Sequence, residues 1–178
     1  MSLQSDLNDY TIDKPEVYEE WISKGVLDTT VLEEVIQLAT GGTERERKRA
    51  NWILHHISDR NPKLFEPRLK QMIHHLPKAI TDAEVRFVLR YFSMYQLPVD
   101  EELEGSLLNY SLKCVTDPKQ AVAPRVYGMT IAYRMVERYP ELATELEQTI
   151  ELALENGSAA MKNRAEKILK SLRKKGLL

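Results

Sequence analysis

Residues 43–57 read Thr43-Glu44-Arg45-Glu46-Arg47-Lys48-Arg49-Ala50-Asn51-Trp52-Ile53-Leu54-His55-His56-Ile57, and this stretch decides the fold. Ala50, Ile53, Leu54 and Ile57 stand at i, i+3, i+4 and i+7, which places them on one stripe of an α-helix. Thr43 and Glu46 have the spacing of a capping box, in which each side chain satisfies an orphan backbone N–H of the other residue. Thr81 and Glu84 repeat that spacing. Asn61-Pro62 ends the helix, because proline has no N–H to continue the ladder.

The stripe recurs as Val85, Val88, Leu89 and Phe92, as Val126, Met129, Thr130 and Tyr133, and as Ala165, Ile168, Leu169 and Leu172. The first positions, 50, 85, 126 and 165, are 35, 41 and 39 residues apart. That period fits a helical-pair unit and neither a propeller nor a coiled coil. Each full unit carries a proline, Pro62, Pro98 or Pro140, 12 to 14 residues after its stripe begins. There the first helix breaks and the second begins. The second helices carry stripes of Phe65, Leu69, Met72 and Leu76; of Leu103, Leu107, Leu112 and Val115; and of Leu142, Leu146, Ile150 and Ala153.

Upstream, one helix opens at Pro15 and stops near Gly25, and another runs from Asp28 to Gly41-Gly42, so that residues 1–42 form an N-terminal helical hairpin. A lone helical pair cannot bury both faces, so such units persist only when stacked. The whole of 1–178 therefore reads as a single all-α domain of roughly nine helices, with the repeats over 43–178. Sustained period-two alternation, the mark of a strand, is absent.

Apolar residues make up 43% and charged residues 29% of the chain, close to the globular average. A formal net charge of −2 gives no global attraction for nucleic acid or an anionic membrane. No apolar run approaches the roughly 18 residues of a membrane-spanning helix. The one cysteine, Cys114, has no intramolecular partner, and residues 1–11 are polar where a signal peptide is apolar, so a cytoplasmic location is expected.

From Arg47 onward the chain resembles a group of short HEAT-like, armadillo-type helical-repeat proteins. The resemblance rests on Lys48-Arg49-Ala50-Asn51-Trp52-Ile53-Leu54, Val85-Arg86-Phe87-Val88, Val126-Tyr127-Gly128-Met129, and Gly157-Ser158-Ala159-Ala160-Met161-Lys162-Asn163-Arg164-Ala165 leading into Lys167-Ile168-Leu169. It implies a right-handed α-solenoid of about four HEAT-like pairs. Some members of the group carry an adenylosuccinate lyase label. Lyases of that superfamily are much longer and use a mobile loop of Ser-Ser-x-Met-Pro-x-Lys-x-Asn pattern, to which no segment here corresponds.

The pairs His55-His56 and His74-His75 are the residues most suggestive of chemistry. Adjacent helical residues point about 100° apart, so neither pair chelates a metal as an i, i+4 pair does. The sequence holds no H-E-x-x-H, no C-x-x-C, no G-x-S-x-G elbow and no phosphate-cradling glycine loop. No catalytic residue, metal ligand or cofactor is assigned. Arg49, Arg125 and Arg164 recur just before the stripe, with Glu84 in the corresponding place; repeated position in repeated units points to arginines that bridge neighbouring repeats. The last helix, with Lys162, Arg164, Lys167, Lys170, Arg173, Lys174 and Lys175, reads as a basic C-terminal cap. Asp100, Glu101, Glu102 and Glu104 complement the start of their own helix.

The expected function is a non-enzymatic binding or scaffold module that engages a protein or peptide partner. Its candidate face is Trp52, His56, Arg86, Arg90 and Tyr91. Arg86/Arg90 and Arg134/Arg138, each one turn apart, together with Trp52, Tyr91, Tyr95 and Tyr127, also admit a nucleic-acid-binding protein of the DNA-glycosylase-like type. A small-molecule lyase is the third reading; it needs a second chain to close a pocket.

Overall fold

A computed structural model describes residues 2–9 and 15–178. Among the described residues the chain is all-α, with ten α-helices, three short 3₁₀ segments and no strand. The helices are α1 (Leu3–Asn8), α2 (Pro15–Leu27), α3 (Thr29–Gly41), α4 (Glu44–Arg60), α5 (Leu69–His75), α6 (Asp82–Met94), α7 (Glu101–Thr116), α8 (Val122–Val136), α9 (Ala143–Leu154) and α10 (Ala159–Lys174). This is the all-helical repeat architecture that the recurring stripe predicts. None of these helices is long and apolar enough to cross a membrane. The chain divides into two compact units, Met1–Tyr91 and Phe92–Leu178.

In the first unit the predicted stripe is the core. Ala50, Ile53, Leu54 and Ile57 of α4 are all buried, as are Leu32, Val35 and Ala39 of α3 and Val85, Val88 and Leu89 of α6. Each large side chain withdrawn from water contributes about 1.5–3 kcal/mol, so this stripe fixes the inward face of a helix whose Glu, Arg and Lys residues already favour helix formation. The capping box at Thr43 and Glu46 forms: the Thr43 N–H donates to Glu46 Oε2 at 2.6 Å and the Glu46 N–H to Thr43 Oγ1 at 3.4 Å. The Asp28 side chain caps α3 by accepting from the Thr30 N–H.

Two departures from the sequence reading have local causes. The first helix is α1, twelve residues before Pro15; Ser2 caps it and its Leu3 and Leu7, four apart, are buried. The expected single helix after Pro62 is instead a 3₁₀ segment, Pro62–Arg68, then the seven-residue α5, then a 3₁₀ turn, Leu76–Lys78. Pro67 and Pro77 interrupt it, since each lacks the amide hydrogen that an α-helical turn requires. Its stripe still packs inward through Phe65, Met72 and Leu76.

The second unit has its core in Val115 of α7, Met129, Ala132 and Val136 of α8, Leu146 and Ile150 of α9, and Ile168 and Leu172 of α10. On α8 the buried face lies one residue away from the predicted stripe: Arg125, Gly128, Met129 and Ala132 are buried, whereas Val126, Thr130 and Tyr133 are half-buried. The shift follows from the polar tips of that stripe, because the Tyr133 hydroxyl pairs with Ser171 Oγ at 2.8 Å and so sits at the margin of the core. Gly128 lets α7 and α8 approach closely; a Cβ there would stand 2.7 Å from the Ser111 carbonyl oxygen.

Candidate binding groove

The repeated arginines hold helix ends. Arg125, 6% exposed, donates to the Val115 carbonyl at the end of α7 and to the Ala153 carbonyl near the end of α9. Arg49 donates to the Leu7 and Asp9 carbonyls, both at 2.8 Å, and so closes the end of α1. Arg164 is exposed. Glu84, which takes the arginine's place in its repeat, is 1% exposed and gathers five donors: Arg47 and His75 on Oε1, and the Ile80 N–H, the Thr81 N–H and the Thr81 hydroxyl on Oε2. Burial alone would raise its pKa, but the bonds from Thr81, His75 and Arg47 outweigh it and hold the carboxyl below its ordinary value.

Several cations that a nucleic-acid surface would use are similarly occupied. Arg134 donates to the Phe92 carbonyl at 2.5 Å, and Arg138 to the Pro98 carbonyl and to Glu104. Glu104 is buried and also accepts from the Tyr139 hydroxyl, a role beyond complementing the start of its helix.

The open surface lies between α4 and α6 in the first unit. Lys48, Trp52, His55 and His56 from α4 and Arg86 from α6 surround a hollow of about 300 Å³ that reaches the buried Asn51 and Phe87. Trp52 is 47% exposed, yet its ring is positioned: Tyr18 of α2 meets it edge-on at 5.1 Å between centroids, and His56 lies tilted against it at 4.1 Å. Spacing explains the contact, because Trp52 and His56 are one helical turn apart. Arg86 is exposed and forms no ion pair among the described residues. Lys48 pairs with the exposed Glu44. Among the described residues no carboxylate lines the groove, and Glu44 and Asp59 lie beside its lining residues Lys48 and His55.

Of the five residues expected on this face, Trp52, His56 and Arg86 share the groove. Arg90, one turn beyond Arg86, is only partly exposed and is tied to Asp59 at 2.7 Å. Tyr91 does not belong to the surface: it is 1% exposed, packs its ring 5.6 Å from Phe65 and donates its hydroxyl to the Pro62 carbonyl. It lies three residues after Val88 and four after Phe87, a spacing that marks it as inward-facing. The groove also takes in Lys48 and Asn51, which sit one turn from Trp52 and His55 respectively on the same helix but lie outside the expected face.

The four histidines do not converge. His55 and His56 line the groove with ring centroids 5.2 Å apart, His75 bonds Glu84, and His74 is exposed. Burial, and then the neighbouring Arg90, holds the His55 imidazole below its ordinary pKa, against the pull of Asp59 3.8 Å away. Among the described residues no three His, Cys, Asp or Glu side chains are grouped to hold a metal ion.

No curated protein and no solved structure matches this chain. A family model described as a HEAT repeat domain matches residues 10–172, nearly its full length. With the recurring stripe, the helical pairs and the inter-helix arginines, this match places the chain in the HEAT repeat domain family.

Proposed function

We propose that this protein is a non-enzymatic scaffold that takes a protein or peptide partner in the groove between α4 and α6. Stacked helical repeats expose extended surfaces suited to such partners. The observation that carries the reading is Trp52: a half-exposed indole held by Tyr18 and His56 beside the unpaired Arg86. Tryptophan and arginine are the side chains most often found at binding hot spots, and a pre-positioned ring loses little freedom on association. With Lys48 and Arg86 on its walls and no carboxylate among the described lining residues, the groove complements an acidic segment that carries an apolar anchor.

Selection from a displayed peptide library tests this. Peptides recovered on the wild-type protein are expected to be acidic and to lose at least about tenfold in affinity for Trp52→Ala and for Arg86→Glu. Peptides that bind both variants as well as they bind the wild type would contradict the reading. Salt separates it from nucleic-acid binding, which weakens by about 0.9 log units per neutralised phosphate for each decade of salt.

A further inference from the structure

We infer that the first unit contains a second, internal site, distinct from the groove, for a small uncharged ligand: a single aromatic ring that bears a hydrogen-bond donor. Behind Asn51 and Phe87, which also edge the groove, lies a cavity of about 110 Å³ between α3, α4, α5 and α6. Ile36, Leu54, Phe65, Met72 and Val88 supply apolar walls. The volume is of the order of the roughly 150 Å³ of an engineered cavity that accepts one benzene ring.

The polar groups away from Gln71, the one exposed lining residue, set the chemistry of the buried walls. Asn51 directs Nδ2 to the Ala39 and Arg47 carbonyls, both at 2.9 Å, which leaves its Oδ1 as an acceptor. Thr40 donates its hydroxyl hydrogen to the Ile36 carbonyl at 2.9 Å and keeps only lone pairs. His75 meets the Glu84 carboxylate through Nε2 at 2.8 Å; a carboxylate only accepts, so Nε2 carries a hydrogen committed to Glu84. The one guanidinium on the wall, Arg68, is matched to Glu33 and to the Leu64 carbonyl at 2.6 Å. An anion would share that guanidinium with the negative charge of Glu33. A saturated hydrocarbon would leave the acceptors unmet. A ring with an O–H or N–H donor meets both demands of the cavity.

Titration of the full-length protein by NMR, with phenol and pyrazole as donor-bearing rings and benzene and benzoate as controls, decides the matter. Phenol and pyrazole are expected to bind saturably in the millimolar range, to shift the Asn51 side-chain amide and the Met72 methyl, and to bind about five- to tenfold more tightly than benzene or benzoate. Leu54→Phe, which fills the cavity without touching a polar group, is expected to abolish the shifts while the folded spectrum persists. Absence of saturable binding, equal or tighter binding of benzoate or benzene, or shifts confined to Trp52 and Arg86 would each overturn the assignment. Trp52→Ala leaves phenol binding intact, so this site and the groove fail or stand independently.

Discussion

Arg125 Nε donates to the Val115 carbonyl at 3.0 Å, and the same guanidinium reaches the Ala153 carbonyl, so one side chain joins the ends of two helices in the second unit. Arg125→Ala leaves both carbonyls short of a partner in a buried place. It is expected to lower stability by about 2–4 kcal/mol, whereas Arg164→Ala, at the equivalent but exposed position, changes it by less than about 0.5 kcal/mol. Urea denaturation of the two variants beside the wild type measures the contrast.

Acid exposes the capping box of α4. The Thr43 N–H, opposed by burial and aided by Asn8, Gln4 and the Thr43 hydroxyl, pulls Glu46 down to a pKa of about 2. A carboxyl depressed on folding stabilises the folded state above its unfolded pKa, and that stability is lost as pH falls through the folded value. The Glu46 contribution is therefore complete above about pH 5 and disappears between there and pH 2. Glu46→Gln is expected to be less stable at pH 7 by about 1–3 kcal/mol and to converge on the wild type near pH 2, as followed by denaturation across that range.

Two glycines predict opposite signs. Gly128→Ala drives a methyl against the Ser111 backbone oxygen and is expected to cost about 1–3 kcal/mol. Gly105, inside α7 with open space at its Cβ position, is expected to gain about 0.5–1 kcal/mol on substitution by alanine. Ser111 adds a third case: its buried hydroxyl has no hydrogen-bond partner, so Ser111→Ala is expected to be neutral or stabilising by up to about 1 kcal/mol. Thermal midpoints of the three single variants rank them.

Trp52 offers a direct optical readout. Trp21 is buried and its indole N–H donates to Asp6 at 2.9 Å, while Trp52 stands half in water. Acrylamide is expected to quench the wild-type emission in two classes, and Trp52→Phe to remove the accessible one. Occupation of the groove shields the same indole, so an acidic peptide that binds there lowers the accessible fraction; an unchanged quenching curve at saturating peptide places the peptide elsewhere.

The sequence discloses what is local or repeated. Thr43/Glu46 and Thr81/Glu84 are legible because a capping box needs only a three-residue spacing, and both form. Arg49 and Arg125 are legible because a repeated register gives them a repeated neighbour. What depends on helix rotation is harder to read. The sequence pattern puts Tyr91 on the candidate face, but an amphipathic ring can bury its body and satisfy its hydroxyl at a carbonyl, here that of Pro62. Glu84 and Glu104 become buried hubs only because donors distant in sequence, Arg47 in one unit and Arg138 in the other, reach them. Of the candidate face, Trp52, His56 and Arg86 lie along the shared edge of α4 and α6, and Arg90 turns to Asp59 instead.

The broken stretch from Pro62 to Lys78 also has a kinetic meaning. It contains three prolines, and its longest α-helical run is seven residues, too short to hold itself by cooperative hydrogen bonding. Such a stretch opens at a lower free energy than a long, well-capped neighbour like the seventeen-residue α4, so its amides exchange with solvent deuterium ahead of those of Ile53 and Leu54. Phe65 and Met72 belong to it, and the internal cavity therefore has one breathing wall and three that stay shut.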